Sequence, residues 1–295
     1  MKKIRDPKAL ARDITNTLIS EIAPQSGSAL LHDVVHSALL KLNAHMDSSE
    51  AHEVAEDILE FVRGFIRDHQ VHAEAEGRVW TLELIGSEGE WIRGAASPDP
   101  SLNEAIRDAR LRRGYVGGVL RELISLSPTQ FETACTKILD LLGCKNTHTS
   151  PVRDDGGIDF YGQLSLRGRL DSPHPLGGID ARTNVWLIGQ AKHYPINPIR
   201  PSVIRELIGS VELARTKGAI HVWEGLHLAP FEPTVMLVFT TGHFSRGSKA
   251  LLANSGVLSM DGPQLAAFLC DVGLGFSSDQ QFTADQFRGD LLRMP

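Results

Sequence analysis

Cysteine is scarce: the 295 residues contain three, Cys135, Cys144 and Cys270. That number excludes a disulfide framework, and the lack of a CxxC pair excludes a zinc ribbon or finger. Cys135 and Cys144 fall in an apolar helical stretch and read as small buried hydrophobes. Long apolar runs are missing too. None approaches the roughly 18 residues a membrane helix needs, so no membrane span is expected. The opening Met1-Lys2-Lys3-Ile4-Arg5 is basic but no apolar segment follows, which predicts no secretory signal and a cytoplasmic protein. Charge of one sign is also lacking, with 30 Lys+Arg against 36 Asp+Glu and a formal net charge of -6. A histone-like polycation is thereby excluded, and any nucleic acid must be held by a local patch. Internal repeats and low-complexity segments are absent.

The chain does carry an ordinary globular composition, 42% hydrophobic and 22% charged. At roughly 100–200 residues per domain, its length predicts about two domains. Apolar residues Leu10, Ile14, Leu18 and Ile22 at four-residue steps predict a helix over 7–22, stopped by Pro24 and Gly27. Further helices are expected over 29–44 and from Ser48 or Ser49 to about Asp68. The period then changes. Residues 78–84 alternate like a strand, Gly86 to Gly89 reads as a turn, and residues 90–93 as a return strand. A helix over about 101–126 follows. Helices and then a hairpin is the element order of a winged helix.

Ser127-Pro128 marks the main boundary, because Ser caps a helix and Pro favours its first position. Beyond it the pattern reads helix, strand, strand, helix, strand, helix, which argues for an α/β domain with a mixed sheet. The expected domains are therefore an N-terminal helix (1–28), a helical, winged-helix-like DNA-recognition domain (29–126), an α/β domain (127–274) and a tail (275–295). Residues 127–274 carry 13 basic and 13 acidic groups. Such a neutral module would hold a polyanion only through a focused, salt-sensitive cleft.

Three features of that module carry chemistry. In Asp154-Asp155-Gly156-Gly157-Ile158-Asp159-Phe160, paired glycines turn the chain into a strand, and Asp159 stands between two core residues. In Val185-Trp186-Leu187-Ile188-Gly189-Gln190-Ala191-Lys192, the period of a strand places Gln190 and Lys192 on one face. The third is Glu132, near the start of the helix that opens the module. Phosphodiester hydrolysis needs a divalent cation in hard oxygen ligands, a water and a positive group. Asp159, the Gln190 side-chain oxygen and the Ala191 carbonyl supply a Mg²⁺ shell, with Lys192 as the compact cation.

The stretch 126–269 resembles the Mrr-type restriction endonuclease family of the PD-(D/E)xK nuclease superfamily. The resemblance rests on Phe131-Glu132, Asp155-Gly156-Gly157-Ile158-Asp159 and Gln190-Ala191-Lys192. It extends to Thr240-Thr241-Gly242-His243-Phe244-Ser245 and Met260-Asp261-Gly262, in that order. It implies a restriction-endonuclease-like αβββαβ core with a central mixed sheet flanked by helices. It also implies a Mg²⁺-dependent deoxyribonuclease, with Mn²⁺ as a substitute, acting on double-stranded DNA as a homodimer or higher oligomer. Its site would comprise Glu132, Asp159, Gln190 and Lys192, and its role would be restriction of foreign or modified DNA. Alternatives are a nuclease effector of abortive infection and a DNA-binding protein that no longer cuts. Two stretches, 167–184 and 221–232, are longer than the family's usual connections.

Other candidates are weaker. Arg107, Arg110, Arg112 and Arg113 form the densest basic cluster of the first module, and they read either as phosphate contacts or as partners of Glu104 and Asp108. Ser245, Arg246 and Lys249 are further phosphate candidates. His221, His227 and His243 show no metal-binding spacing, and His193 should face away from Lys192. Residues 114–118 lack the Gly-Lys-Ser/Thr of a phosphate-binding loop.

Overall fold

The computed structural model describes residues 6–150, 156–169, 182–216 and 223–293. The chain divides into two compact units, residues 1–116 with 278–281, and residues 117–277 with 282–295.

The first unit is built from α1 (Pro7–Glu21), β1 (Ala29–Leu30), α2 (Leu31–Leu42), α3 (Ser48–Ala75), β2 (Leu82–Ile85), β3 (Trp91–Gly94) and α4 (Glu104–Arg113). Capping fixes the helix starts: Asp6 accepts from the Ala9 N–H at 3.0 Å and Asp47 from the Glu50 N–H at 2.8 Å. One apolar core joins the three leading helices to the hairpin. Ile14 and Leu18 of α1 meet Val35 and Leu39 of α2, Ile58, Val62 and Ile66 of α3, and Leu82 and Ile92. The short β1 pairs antiparallel with β3, giving the sheet order β1-β3-β2. Helix, strand, helix, helix, strand, strand is a winged-helix-like arrangement. The third helix runs seven residues past the expected Asp68, because Ala73, Glu74 and Ala75 favour helix and no breaker comes before Gly77.

The second unit carries α5 (Val116–Ser125), α6 (Pro128–Leu141), β4 (Cys144–Thr149), β5 (Phe160–Ser165), β6 (Asn184–Lys192), α7 (Pro201–Arg215), β7 (Thr234–Thr240), α8 (Arg246–Ser255), β8 (Leu258–Met260), α9 (Gly262–Val272) and α10 (Ala284–Leu292). Its five strands lie in chain order, β4-β5-β6-β7-β8. The pairs β4–β5 and β5–β6 are antiparallel, while β6–β7 and β7–β8 are parallel. The helix expected over 101–126 is two helices, α4 and α5, because the chain turns at Gly114 and Tyr115. Cys144 opens β4 rather than ending a helix; Gly143, at φ 90°, makes the break. The expected tail is largely structured, and α10 buries Phe287 and Leu291 fully.

Alternation along β6 sorts the core into two layers. Trp186 and Ile188 face the α7 side with Ile204, Leu207, Val211 and Val238. Phe160 and Phe239 stack at 5.3 Å on the opposite face, where Gly189 lies beneath the Phe160 ring. Ile158 belongs to the α7 layer and Phe160 does not, so strict alternation begins only at β5 itself. Part of the second long connection is core: Trp223, Leu226 and Leu228 join the α7 layer, and the Tyr161 hydroxyl donates to the Glu224 carbonyl at 2.7 Å. Arg215 ties that stretch down through the carbonyls of Ala229, Pro230 and Glu232. Residues 170–181 of the first connection and 217–222 lie outside the described residues.

A Cβ on Gly189 would sit 2.1 Å from Phe160 Cζ, deep in the sheet. Gly189→Ala should therefore cost about 1–3 kcal/mol by overpacking. Gly209 in α7 has open space around it, and Gly209→Ala should raise stability by up to about 1 kcal/mol. Urea unfolding of the two variants checks the opposite signs.

Candidate active site

The site forms where β5 begins and β6 ends. Register brings Phe160 opposite Gly189, so Asp159 comes level with Gln190. The Asp159 N–H donates to the Gly189 carbonyl at 2.9 Å, and the Asp159 carbonyl accepts from the Ser150 N–H at 2.8 Å. The side chain completes the ladder: Asp159 Oδ2 accepts from the Ala191 N–H at 2.7 Å, with Asp159 only 3% exposed. A buried carboxylate is tolerated when its lone pairs meet donors of this kind. The N–H and C=O of one strand residue face the same neighbour, so the Ala191 carbonyl looks to the Asp159 side of β6.

Gln190 and Lys192 share the other features expected of a strand tip. Gln190 is 1% exposed. Its amide, oriented by its neighbours, donates to the Val203 carbonyl at 3.1 Å and accepts from Lys192 Nζ at 3.0 Å. Val203 belongs to α7, so this helix fixes the amide while the strand fixes the lysine stem. Lys192 is half-buried, its ammonium held by the Gln190 oxygen rather than loose in water.

Glu132 approaches from α6. Its helix starts at a capping box, with Ser127 Oγ accepting from the Gln130 N–H and the Gln130 side chain accepting from the Ser127 N–H. Cys135, on the same helix, is fully buried. Burial first, then the carboxylates of Asp159 and Glu132, push its thiol well above the usual cysteine range. Glu132, one turn before Cys135 on α6, and Asp159 thus both lie within electrostatic reach of this thiol. His193 turns the other way, with its ring 5.8 Å from that of Phe131 and Nε2 3.2 Å from the Ile124 carbonyl.

The donor set suits a hard divalent cation. It offers the Asp159 carboxylate, the Gln190 amide oxygen, the Ala191 carbonyl on the Asp159 side, and Glu132 nearby. Ser150 Oγ, on the residue that binds the Asp159 carbonyl, is buried without a partner among the described residues. Asp155 lies outside the described residues.

Behind the tip, two motif glycines carry backbone contacts. A Cβ on Gly242 would fall 2.0 Å from the Tyr194 carbonyl oxygen, and one on Gly262 would fall 2.2 Å from that of Thr241. Asp261 caps α9 through the Gln264 N–H at 3.1 Å. These contacts shape the tip.

Several of the remaining candidates are engaged elsewhere. Arg110 bonds Glu83 of the hairpin and the Ala95 carbonyl, at 3.0 Å for the latter, rather than Glu104 or Asp108. Arg93 shares the same Glu83 at 2.6 Å and reaches Asp99 at 2.7 Å. Arg110 is thus a structural ion-pair partner and not a loose phosphate contact, and Arg113 lies 5.9 Å over the Trp80 ring. Arg107 is half-buried on α4. Ser245 is the N-cap of α8, its Oγ accepting from the Ser248 N–H at 3.2 Å. Arg246 and Lys249 stand exposed on the first turns of that helix. No described helix is long and apolar enough to cross a membrane.

Comparison with known proteins bears on the second unit above all. Residues 123–269 match the family model Mrr_cat, restriction endonuclease. Among solved structures, the MspJI restriction endonuclease in complex with a 27-mer oligonucleotide is 18% identical, covering 59% of this chain and 35% of that one, with a TM-score of 0.34. Restriction endonuclease FokI is 12% identical, covering 92% of this chain and 46% of that one, with a TM-score of 0.35. The chain thus spans less than half the length of either structure. No curated protein matches it.

The buried Cys135 thiol should stay unreactive toward a disulfide reagent at pH 8 in the folded protein. Titration of native and urea-unfolded protein checks this, with Cys135 reacting only in the second; mass mapping identifies the labelled residue.

Proposed function

We propose, from the match of residues 123–269 to the restriction endonuclease model Mrr_cat, that the protein is a metal-dependent endonuclease that hydrolyses phosphodiester bonds of double-stranded DNA. One observation carries the reading. At one strand tip the Asp159 carboxylate accepts from the Ala191 N–H at 2.7 Å, and the residues on either side of Ala191, Gln190 and Lys192, bond each other at 3.0 Å, although Asp159 stands at least 31 positions away from them in sequence.

Asp159, Gln190 and the Ala191 carbonyl are the groups that would hold Mg²⁺, or Mn²⁺ in its place. When bound, such a cation neutralises phosphate charge and lowers the pKa of a coordinated water. Lys192 places a compact cation where negative charge grows on the phosphate oxygens. The Gln190 oxygen fixes that ammonium at 3.0 Å, which removes the need to order a long side chain during the reaction. Glu132 offers a second carboxylate to accept a proton or position water. The Ala191 N–H holds the Asp159 carboxylate against β6.

The described residues hold one Asp159–Lys192 set in each chain, so a double-strand break calls for two copies acting together. The winged-helix-like unit is the part suited to reading or positioning the duplex, and restriction of foreign, including modified, DNA is the role this combination serves.

The test is cleavage of plasmid DNA with Mg²⁺ or Mn²⁺. Lys192→Ala and Asp159→Ala should each lose at least about 10²–10³-fold in rate, the scale for removing one electrostatic group from such a site. Circular dichroism should show both variants folded, and a mobility-shift assay should show DNA still bound. Equal cleavage by all three proteins would discard the assignment of this site. Binding of DNA without cleavage by the wild type, at any divalent ion, would favour a protein that binds DNA and no longer cuts.

A further inference from the structure

The first unit contains a cluster of ligand-type side chains that the nuclease reading does not use. His32 and His36 lie one turn apart on α2, and His52 and Glu56 lie one turn apart on α3. Helix packing turns the two pairs toward each other. The His32 and His52 rings meet edge to face, with centroids 4.5 Å apart. One ligand atom each from His32, His52 and Glu56 lies within 4.8 Å of the others.

Two details distinguish this cluster from a chance gathering of surface polar groups. His32 Nε2 is buried and meets no hydrogen-bond partner among the described residues. A buried ring nitrogen left without a partner is costly, and a metal ion is one thing that satisfies it. His32 Nδ1 lies 3.5 Å from the Asp33 carboxylate, which favours the tautomer carrying its proton there and leaves the Nε2 lone pair available. A carboxylate behind a histidine in this way is how metal-binding imidazoles are oriented. The His52–Glu56 pair, 3.7 Å apart, then supplies a nitrogen and an oxygen from the facing helix.

We propose that His32, His52 and Glu56 bind a divalent transition-metal ion, Zn²⁺ by its preference for imidazole and carboxylate, in a site bridging α2 and α3. Imidazole nitrogen with a single carboxylate excludes Mg²⁺ and Ca²⁺, which require oxygen shells. Tetrahedral bonds of about 2 Å set ligand atoms about 3.3 Å apart, so the cluster has to contract on binding. That movement falls on His52 and Glu56, whose side chains are 60% and 67% exposed and free to change rotamer. Water takes the fourth position. His36 stays apart, its Nε2 held by the Ser48 carbonyl at 3.2 Å and its ring centroid 6.4 Å from that of His52. An ion here cross-links the two helices that pack against α1 and would stiffen the unit without touching its core.

Titration of the full chain with CoCl₂, read by visible absorption, and with ZnCl₂, read by calorimetry, tests the site. One equivalent should bind with micromolar or tighter affinity and give the intense visible bands of tetrahedral cobalt. That equivalent should survive in Asp159→Ala, which removes the nuclease-site ion, and should weaken at least 100-fold in His52→Ala. Because His52 is exposed, His52→Ala should keep its fold, which circular dichroism checks. Asp33→Asn should weaken binding about tenfold, the usual effect of losing a carboxylate behind a ligating histidine. Binding of the same strength in wild type and His52→Ala, or affinity no tighter than millimolar in the wild type, would overturn the proposal.

Discussion

The second unit turns on one hydrogen bond, from the Ala191 N–H to the Asp159 carboxylate at 2.7 Å. It lies at the junction where an antiparallel strand pair meets a parallel one. At that point a side chain, rather than a backbone carbonyl, answers the N–H of β6. A buried acid needs a donor, an interior strand end needs an acceptor, and each supplies the other. The same bond sets the spacing between Asp159 and the face from which Gln190 and Lys192 project.

Around that bond, support comes from three directions. The helix α7 anchors the Gln190 amide through the Val203 carbonyl, and Gln190 in turn anchors Lys192. The capped start of α6 brings Glu132 in on the side of the Cys135 thiol. The ladder bonds of Ser150 and Gly189 hold the Asp159 backbone from both flanks. Asp159, Gln190 and Lys192 thus each have a rotamer fixed by a neighbour, which is the condition for a site that needs little reorganisation.

How much of this could be read from the chain depended on how strongly each element was buried. β6 was plain, because an apolar run closing on Gln190 and Lys192 is the pattern of a buried strand that opens at a polar tip. The Ser127-Pro128 start of α6 was plain as well, since capping chemistry is local. β4 was invisible to periodicity. Cys144-Lys145-Asn146-Thr147-His148-Thr149 is an edge strand with a bulge and a residue at φ 51°, and it buries only Cys144. Its existence followed only from the family resemblance, whose αβββαβ order contains one strand more than the pattern. α10 escaped because Phe287 and Leu291 alone are too few to form a stripe. The Asp159–Ala191 bond and the partner of Arg110 are set by tertiary register, which no local window contains. The His32–His52 cluster left a faint trace, two ligand pairs at helical spacing, whose meeting depends on how α2 packs on α3.

The crowding at Gly242 and Gly262 has a bearing on how such a domain can diversify. Main chain abuts main chain there, against the carbonyls of Tyr194 and Thr241, so no compensating swap of a neighbouring residue relieves an added methyl. The floor beneath the strand tips is in effect frozen. Novelty is left to the rim, where Tyr194 and Ile196 already stand in solvent and a new residue displaces nothing but water.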